Sequence, residues 1–360
     1  MKPQKKIFIK DIQEAGAVDS LFLVKEMSQY ETKAGKPYLR LILMDNTGEV
    51  PAMIWENAQQ LAPLCQPGKI GRFVGQSLSY KGSMQLKVVK VKEVNDADVD
   101  LDQFMPTTSH NMVEMLEELS ALIKSVNEPH LRELLLSFAN DRELWTLFGR
   151  APAAKSMHHA YIGGLLEHTL GICRAVDAIA PLYPGIDRDL LMAGAVLHDM
   201  GKVKEFSFEV PPFNYSDQGR LLGHMTICQE MLRQKVATLA DFPEHTALLL
   251  QHLILSHHGR YDYGSPVLPM TREAMVLNFL DDLDAKMNYL DRLSSKTAGD
   301  DYEWTDYQRN MERYFYVTDH TIQSVVQDGE AGVVEPASVV TAKPAGARDI
   351  AAPRQPTLWD

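Results

Sequence analysis

Little in this sequence points outside the cell or into a membrane. Its three cysteines, Cys65, Cys173 and Cys228, are odd in number, far apart and free of any CxxC pair. They offer no disulfide framework, which fits a reducing cytoplasm. No apolar run approaches the roughly 18 residues that a membrane span needs. The nearest, LLLQHLILS at 248–256, is interrupted by Gln251 and His252. The opening MKPQKKIFIKDIQEAG is basic but has no apolar centre, so no secretory signal is expected there. No internal repeat is visible.

What is present suits a soluble chain of about two domains and a tail. Hydrophobic residues make up 45% and charged residues 23% of the 360 positions, ordinary values for globular domains. The net charge of −12 is unevenly spread. Residues 1–95 carry 14 Lys and Arg against 9 Asp and Glu, while the remainder carries 22 against 39. A basic module joined to an acidic one suits an electrostatic guide for a polyanion beside a carboxylate-rich site. Two ordinary solvated surfaces explain the asymmetry equally well.

Residues 7–95 have β character. SLFLVKEM, PYLRLILMD, EVPAMIW, IGRFVGQSL and MQLKVVKVKEV alternate or run apolar over strand lengths. Turn signals separate them at Lys33-Ala34-Gly35-Lys36, Asp45-Asn46-Thr47-Gly48, Gln66-Pro67-Gly68 and Tyr80-Lys81-Gly82-Ser83. About five short strands with a helix-sized insert at 56–64 predict a small closed barrel of the OB type over 1–95. Residues 96–110, acidic and then rich in Pro, Thr and Ser, read as a linker. From 111 to 326 the apolar residues recur at helical spacing, in segments such as YIGGLLEHTLGICRAVDAIA, DLLMAGAVLHDM and REAMVLNFLDDLDAKMNYL. Residues 204–219 break the pattern with Pro211-Pro212 and four aromatics, as a loop or short hairpin does. From 327 to 360 the Ala/Pro/Gly-rich, aperiodic composition predicts disorder.

Nine of the 12 histidines fall between 151 and 260. Several occupy apolar helical runs: His168 in GLLEHTLGI, His198 in AVLHDM, His224 in LLGHM, and His257-His258 at the end of LLLQHLILSHH. Burying a polar ring unsatisfied costs about 1–3 kcal/mol, so several in one helical domain call for a common reason. Metal coordination supplies it. Asp199 directly follows His198, and Asp281 lies between Leu280 and Leu283 on another apolar helix. These residues are each about one helix and one connection apart, so they can meet only inside a bundle. His and Asp together make a mixed N/O donor set suited to Mn, Fe, Co, Ni or Zn rather than Ca.

The ordered set His168, His198-Asp199, His224, His257-His258 and Asp281 resembles the HD-domain superfamily of metal-dependent phosphohydrolases. The HDxGK continuation over His198-Asp199-Met200-Gly201-Lys202 strengthens the likeness. With HHAYIGGLLEHT, GRLLGH, DDLDAK and the preceding barrel, residues 7–320 resemble the YhaM-type 3′-to-5′ exoribonucleases. The resemblance implies a multidomain chain, an all-β OB-like barrel followed by an all-α HD bundle. It further implies one metal among His168, His198, Asp199 and Asp281, with Asp199 bridging to a second held by His224, His257 and His258. Which of His257 and His258 binds less directly is open; the phase relative to Asp284 favours Asp281 over Asp282. Two ions, with Mn first among the candidates, would acidify a water and clamp a phosphoryl oxygen. Lys202 is the expected phosphate contact and His159 an orienting or phosphate-binding residue, so that Asp199, Lys202 and His159 form the expected catalytic group.

The barrel mixes aromatic and basic residues, as single-strand binders do: bases stack on rings while cations track phosphates. Phe22 and Phe73 lie in apolar runs and are expected in the core. Tyr38, Arg40, Tyr80 and Lys81, at or near turns, are the expected nucleic-acid contacts. The favoured reading is a cytoplasmic, metal-dependent enzyme that trims single-stranded RNA from the 3′ end to nucleoside 5′-monophosphates, with single-stranded DNA as an alternative substrate. The competing readings are an HD phosphodiesterase acting on a cyclic dinucleotide or nucleoside triphosphate, and a nucleic-acid-binding scaffold with an inert HD fold. Oligomeric state is not readable.

Overall fold

The computed structural model describes residues 5–80, 83–95, 99–100, 103–155, 158–208, 213–295 and 301–318. Residues 1–319 make one compact unit; the second, 320–360, including the tail expected to be disordered, lies outside the described residues.

The N-terminal strands are β1 (Ala17–Glu31), β2 (Pro37–Asp45), β3 (Gly48–Ile54), β4 (Ile70–Tyr80) and β5 (Ser83–Glu93), with a short helix α1 (Ala58–Leu61) between β3 and β4. They close into a barrel in the order β1-β2-β3-β5-β4, antiparallel except for the β3–β5 pair. This is the OB-like barrel that the strand and turn spacing predicts. Strand alternation sorts the faces. Leu39, Leu41 and Leu43 of β2 are fully buried, while Tyr38 and Arg40, which alternate with them, face outward. Phe22 and Phe73 pack inside, as expected. One charged pair is also sealed in: Lys5 Nζ lies 2.9 Å from Asp45 Oδ2 and 4.1 Å from the centre of the Phe22 ring.

Of the expected linker, residues 99–100 and 103–110 are described, and 103–108 are packed rather than loose. Phe104 is buried with Leu21, Leu23, Met44 and Ile70 of the barrel, and Met105 in the helical core. Two large apolar side chains gain more from burial than an acidic, Pro-containing stretch loses in freedom. Thr107 then bridges to Ile162, so the chain crosses between the domains through a fixed passage.

The helical domain comprises α2 (Met112–Lys124), α3 (Pro129–Ala139), α4 (Arg142–Arg150), α5 (Gly164–Ile179), α6 (Arg188–Leu197), α7 (Lys202–Glu205), α8 (Asp217–Val236), α9 (Glu244–Ser256) and α10 (Arg272–Ser294). Periodicity does not single out α4, which is too short for it; Asp141 caps it by accepting from the Leu144 N–H. Residues Leu190 to Leu197 of α6 are all buried, so this helix is apolar all round and forms the centre of the bundle. A hairpin of β6 (Phe206–Ser207) and β7 (Asn214–Tyr215) occupies the 204–219 break. A second hairpin, β8 (Glu303–Trp304) with β9 (Tyr316–Val317), follows α10.

Candidate metal centre and nucleic-acid interface

Five helices deliver the predicted ligands to one point. His168 comes from α5, His198 and Asp199 from the end of α6, His224 from α8, His257 and His258 from the end of α9, and Asp281 from α10. Two glycines make the convergence possible. A Cβ on Gly201 would lie 2.1 Å from the His224 carbonyl oxygen, so only glycine lets the α6–α7 turn close against α8. Gly223, at φ 70°, breaks α8 just before His224. The freed His224 N–H donates to Glu205 Oε1. The continuous helix expected through LLGHMTICQ is therefore kinked at its ligand.

Asp199 is at the centre, with its two oxygens facing opposite ways. Oδ2 lies 3.5 Å from His168 Nε2 and 3.4 Å from His198 Nε2. Oδ1 lies 3.4 Å from His224 Nε2 and 3.5 Å from His257 Nε2. Asp281 Oδ1 joins the first group, 3.2 Å from His168 Nε2. His258 joins the second, its ligating atom within 4.8 Å of those of His224 and His257. Asp282 points elsewhere and pairs with Lys286.

Each imidazole is held by its other nitrogen, the arrangement by which an outer layer aims metal ligands. His198 Nδ1 bonds the Ala195 carbonyl oxygen at 2.8 Å, and His257 Nδ1 that of Ile254 at 2.6 Å. His258 Nδ1 bonds the Tyr263 carbonyl oxygen at 2.7 Å, and His224 Nδ1 bonds Glu205 Oε1 at 3.0 Å. His168 Nδ1 bonds Asp284 Oδ2 at 2.7 Å. Every inner nitrogen is thus Nε2. Sequence reasoning missed Glu205 and Asp284 as orienting groups. Their signal was spacing: each lies three residues, about one helical turn, beyond Lys202 and Asp281 respectively.

The residues fit divalent metal. Asp199 Oδ1, His224 Nε2 and His257 Nε2 are buried with no hydrogen-bond partner, a cost of about 1–3 kcal/mol per group unless something coordinates them. The electrostatics agree. Burial alone would raise the Asp199 carboxyl, but Lys202 and the surrounding imidazoles hold it well below the usual carboxylate range. Asp281 is held low against burial by His168, then His257 and His198. Burial likewise opposes a charge on His168, yet Asp199, Asp281 and Asp284 raise it well above its ordinary value. The carboxylates therefore call for positive charge at this point. His258 is pushed down to about 3 by burial and by its neighbours His257 and His224, which leaves it neutral, as a ligand must be.

Lys202, buried, sits 2.5 Å from Asp199 Oδ2 and also lines a cleft of about 650 Å³ that opens onto the histidine and aspartate cluster. His158, Arg260, Tyr263 and Asp281 share that wall. His159 is placed differently. It is buried behind His168, 2.9 Å from Asp284 Oδ2 and 2.9 Å from the Tyr161 hydroxyl, at φ 44°, and its N–H donates to Asn288 Oδ1. It orients Asp284, and through it His168, and does not line the cleft.

On the barrel, Tyr38 lies between Tyr30 and Trp55. The ring centres are 5.6 Å and 4.6 Å apart, with both pairs stacked. Tyr30 and Trp55 are 45% and 46% exposed, and Arg40 stands on the same outer face of β2. Tyr80 ends β4, but its side chain and Lys81 lie outside the described residues. Tyr30 and Trp55 belong to the aromatic set of the barrel, but their alignment with Tyr38 forms only across strands and has no local signature.

The HD domain family matches residues 165–286. The chain is 36% identical over 299 residues to the 3′-5′ exoribonuclease YhaM of Bacillus subtilis strain 168, covering 83% of this chain and 93% of that protein. To the 3′-5′ exoribonuclease YhaM of Bacillus licheniformis it is 35% identical over 303 residues, with the same coverage. Among solved structures, the second OB-fold domain of replication protein A from Methanococcus maripaludis matches with a TM-score of 0.22 at 15% identity, covering 25% of this chain and 95% of that one.

Proposed function

The chain belongs to the YhaM family of 3′-5′ exoribonucleases, and from that premise we propose that it removes nucleotides one at a time from the 3′ end of single-stranded RNA, releasing nucleoside 5′-monophosphates. The observation that carries the reading is Asp199, whose two oxygens face two separate histidine groups. His168, His198, Asp281 and Asp199 Oδ2 would hold one transition-metal ion. His224, His257, His258 and Asp199 Oδ1 would hold a second. Such ions, manganese first and then iron, cobalt, nickel or zinc, supply an acidified water as nucleophile and a clamp on phosphoryl oxygens.

The protein's own groups do the rest. One of the three Lys202 donors goes to Asp199, which leaves two for a phosphate in the cleft. His159 and Asp284 fix the His168 ring, and Glu205 fixes that of His224. On the barrel, Tyr30, Tyr38 and Trp55 offer stacking faces for bases, with Arg40 beside them for the backbone. A free small nucleotide would have no use for that row, which disfavours the small-nucleotide reading. Among the described residues no helix is long and apolar enough to cross a membrane, and we place the enzyme in the cytoplasm with its RNA.

A time course with added Mn²⁺ on a 5′-labelled oligoribonucleotide tests the proposal, with the matching DNA alongside. The expected result is a ladder shortening from the 3′ end. Release of a single labelled mononucleotide from the 5′ end would overturn the polarity, and faster hydrolysis of a cyclic dinucleotide would overturn the substrate.

A further inference from the structure

The second hairpin carries more aromatic surface than its size explains. Trp304 and Tyr316 are directly opposite in the β8–β9 pair and are 69% and 56% exposed. Their ring centres are 4.9 Å apart, and Tyr302 stacks on Tyr316 at 5.1 Å. Tyr307 and Tyr314 pair further along at 5.2 Å, both largely exposed. A hairpin with two-residue strands is not stable alone. This one is held from its other face, by buried Val317 and by the Tyr289 hydroxyl donating to Gln308 Oε1. The exposed rings are therefore not what anchors it, and a contiguous exposed apolar patch of this kind marks an interaction site.

Position identifies the occupant. Asn310 and Met311, in the turn of the hairpin, line the same cleft as Lys202 and Asp281. We infer that the hairpin at residues 301–318 is a second stacking surface, taking the bases of single-stranded RNA upstream of the two nucleotides that flank the bond to be cut. A second copy of the chain seated on these rings would crowd the mouth of the cleft. The charge pattern defines the mode. Asp301, Glu303, Asp306 and Glu312 outnumber Arg309 and Arg313, so this surface gives no net attraction to phosphates. It holds bases, while the basic barrel supplies the salt-dependent part of binding. This inference rests on the exoribonuclease reading and extends it.

The test is the double variant Trp304→Ala and Tyr316→Ala in the full-length, Mn²⁺-loaded enzyme, assayed on an oligoribonucleotide and on a dinucleotide. The KM for the oligoribonucleotide is expected to rise about tenfold or more, from the loss of two stacks. Its salt dependence and kcat should be unchanged, and so should dinucleotide hydrolysis. An unchanged oligoribonucleotide KM overturns the inference, as does an equal rise for both substrates, which signals structural damage. Light scattering that shows a smaller assembly for the variant, with KM unchanged, overturns it in favour of a contact between copies. Failure of the unaltered enzyme to shorten RNA at all overturns the exoribonuclease reading itself, a result separable from the others.

Discussion

In the barrel, Tyr30, Tyr38 and Trp55 stand on the outer surface of strands whose inward residues Leu39, Leu41 and Leu43 are sealed from water. In the helical domain His168, His198, Asp199 and His257 occupy the interior, and apolar residues such as Phe279 and Leu283 of α10 are exposed. The difference follows from what each task needs. Stacking requires only a ring face and a base, and water does little to weaken it. Holding a metal ion and acidifying its water require donors fixed by neighbours at low dielectric, which only an interior provides. Under the proposed function, binding on the barrel is thus separable from folding, whereas chemistry in the bundle is part of the core.

The largest effect expected from this contrast is that of Asp199→Ala. It removes the one carboxylate common to both histidine groups, so cleavage falls below detection and dialysed protein retains no metal. RNA affinity at fixed salt stays as it was. A parallel loss of affinity would mean that the bundle, not the barrel, carries most of the binding. Lys5→Met probes the charged pair sealed into the barrel. It leaves Asp45 sealed in without its cation, at a cost of about 3–5 kcal/mol. Hydrogen exchange should then show barrel strands losing protection while α5 and α6 keep theirs; loss in both would show that the domains fold as one. The smallest effect is that of Trp55→Ala, where one end of the aromatic row is lost. RNA binding weakens by about 1–3 kcal/mol, with melting temperature and dinucleotide hydrolysis unchanged. A drop in melting temperature would make Trp55 a structural residue.

Much of this organisation is legible in one dimension. Alternation in PYLRLILMD separates Leu39, Leu41 and Leu43 from Tyr38 and Arg40, because strand geometry sends successive side chains to opposite faces. Histidines in apolar helical runs announce an interior use for a polar ring. Other features have no local signature. Phe104 and Met105 lie in a stretch whose composition reads as linker, yet each finds a different core. The Gly223 kink follows from the fit of His224 to Glu205, a residue on another helix. His159, expected either to orient a neighbour or to bind phosphate, is turned toward Asp284 by Asn288, a residue far along the chain, and by Tyr161.

The sequence by itself determined the two-part architecture, the strand and helix faces and the identity of the ligand types, since each depends on periodicity and residue chemistry within one segment. Tertiary structure decided which oxygen of Asp199 meets which histidines, and that Tyr30, Tyr38 and Trp55 form one row. It also brought Asn310 and Met311 to the wall of the cleft that Lys202 and Asp281 line. These are distances between residues far apart along the chain, set by how helices and strands pack, and no local pattern encodes them.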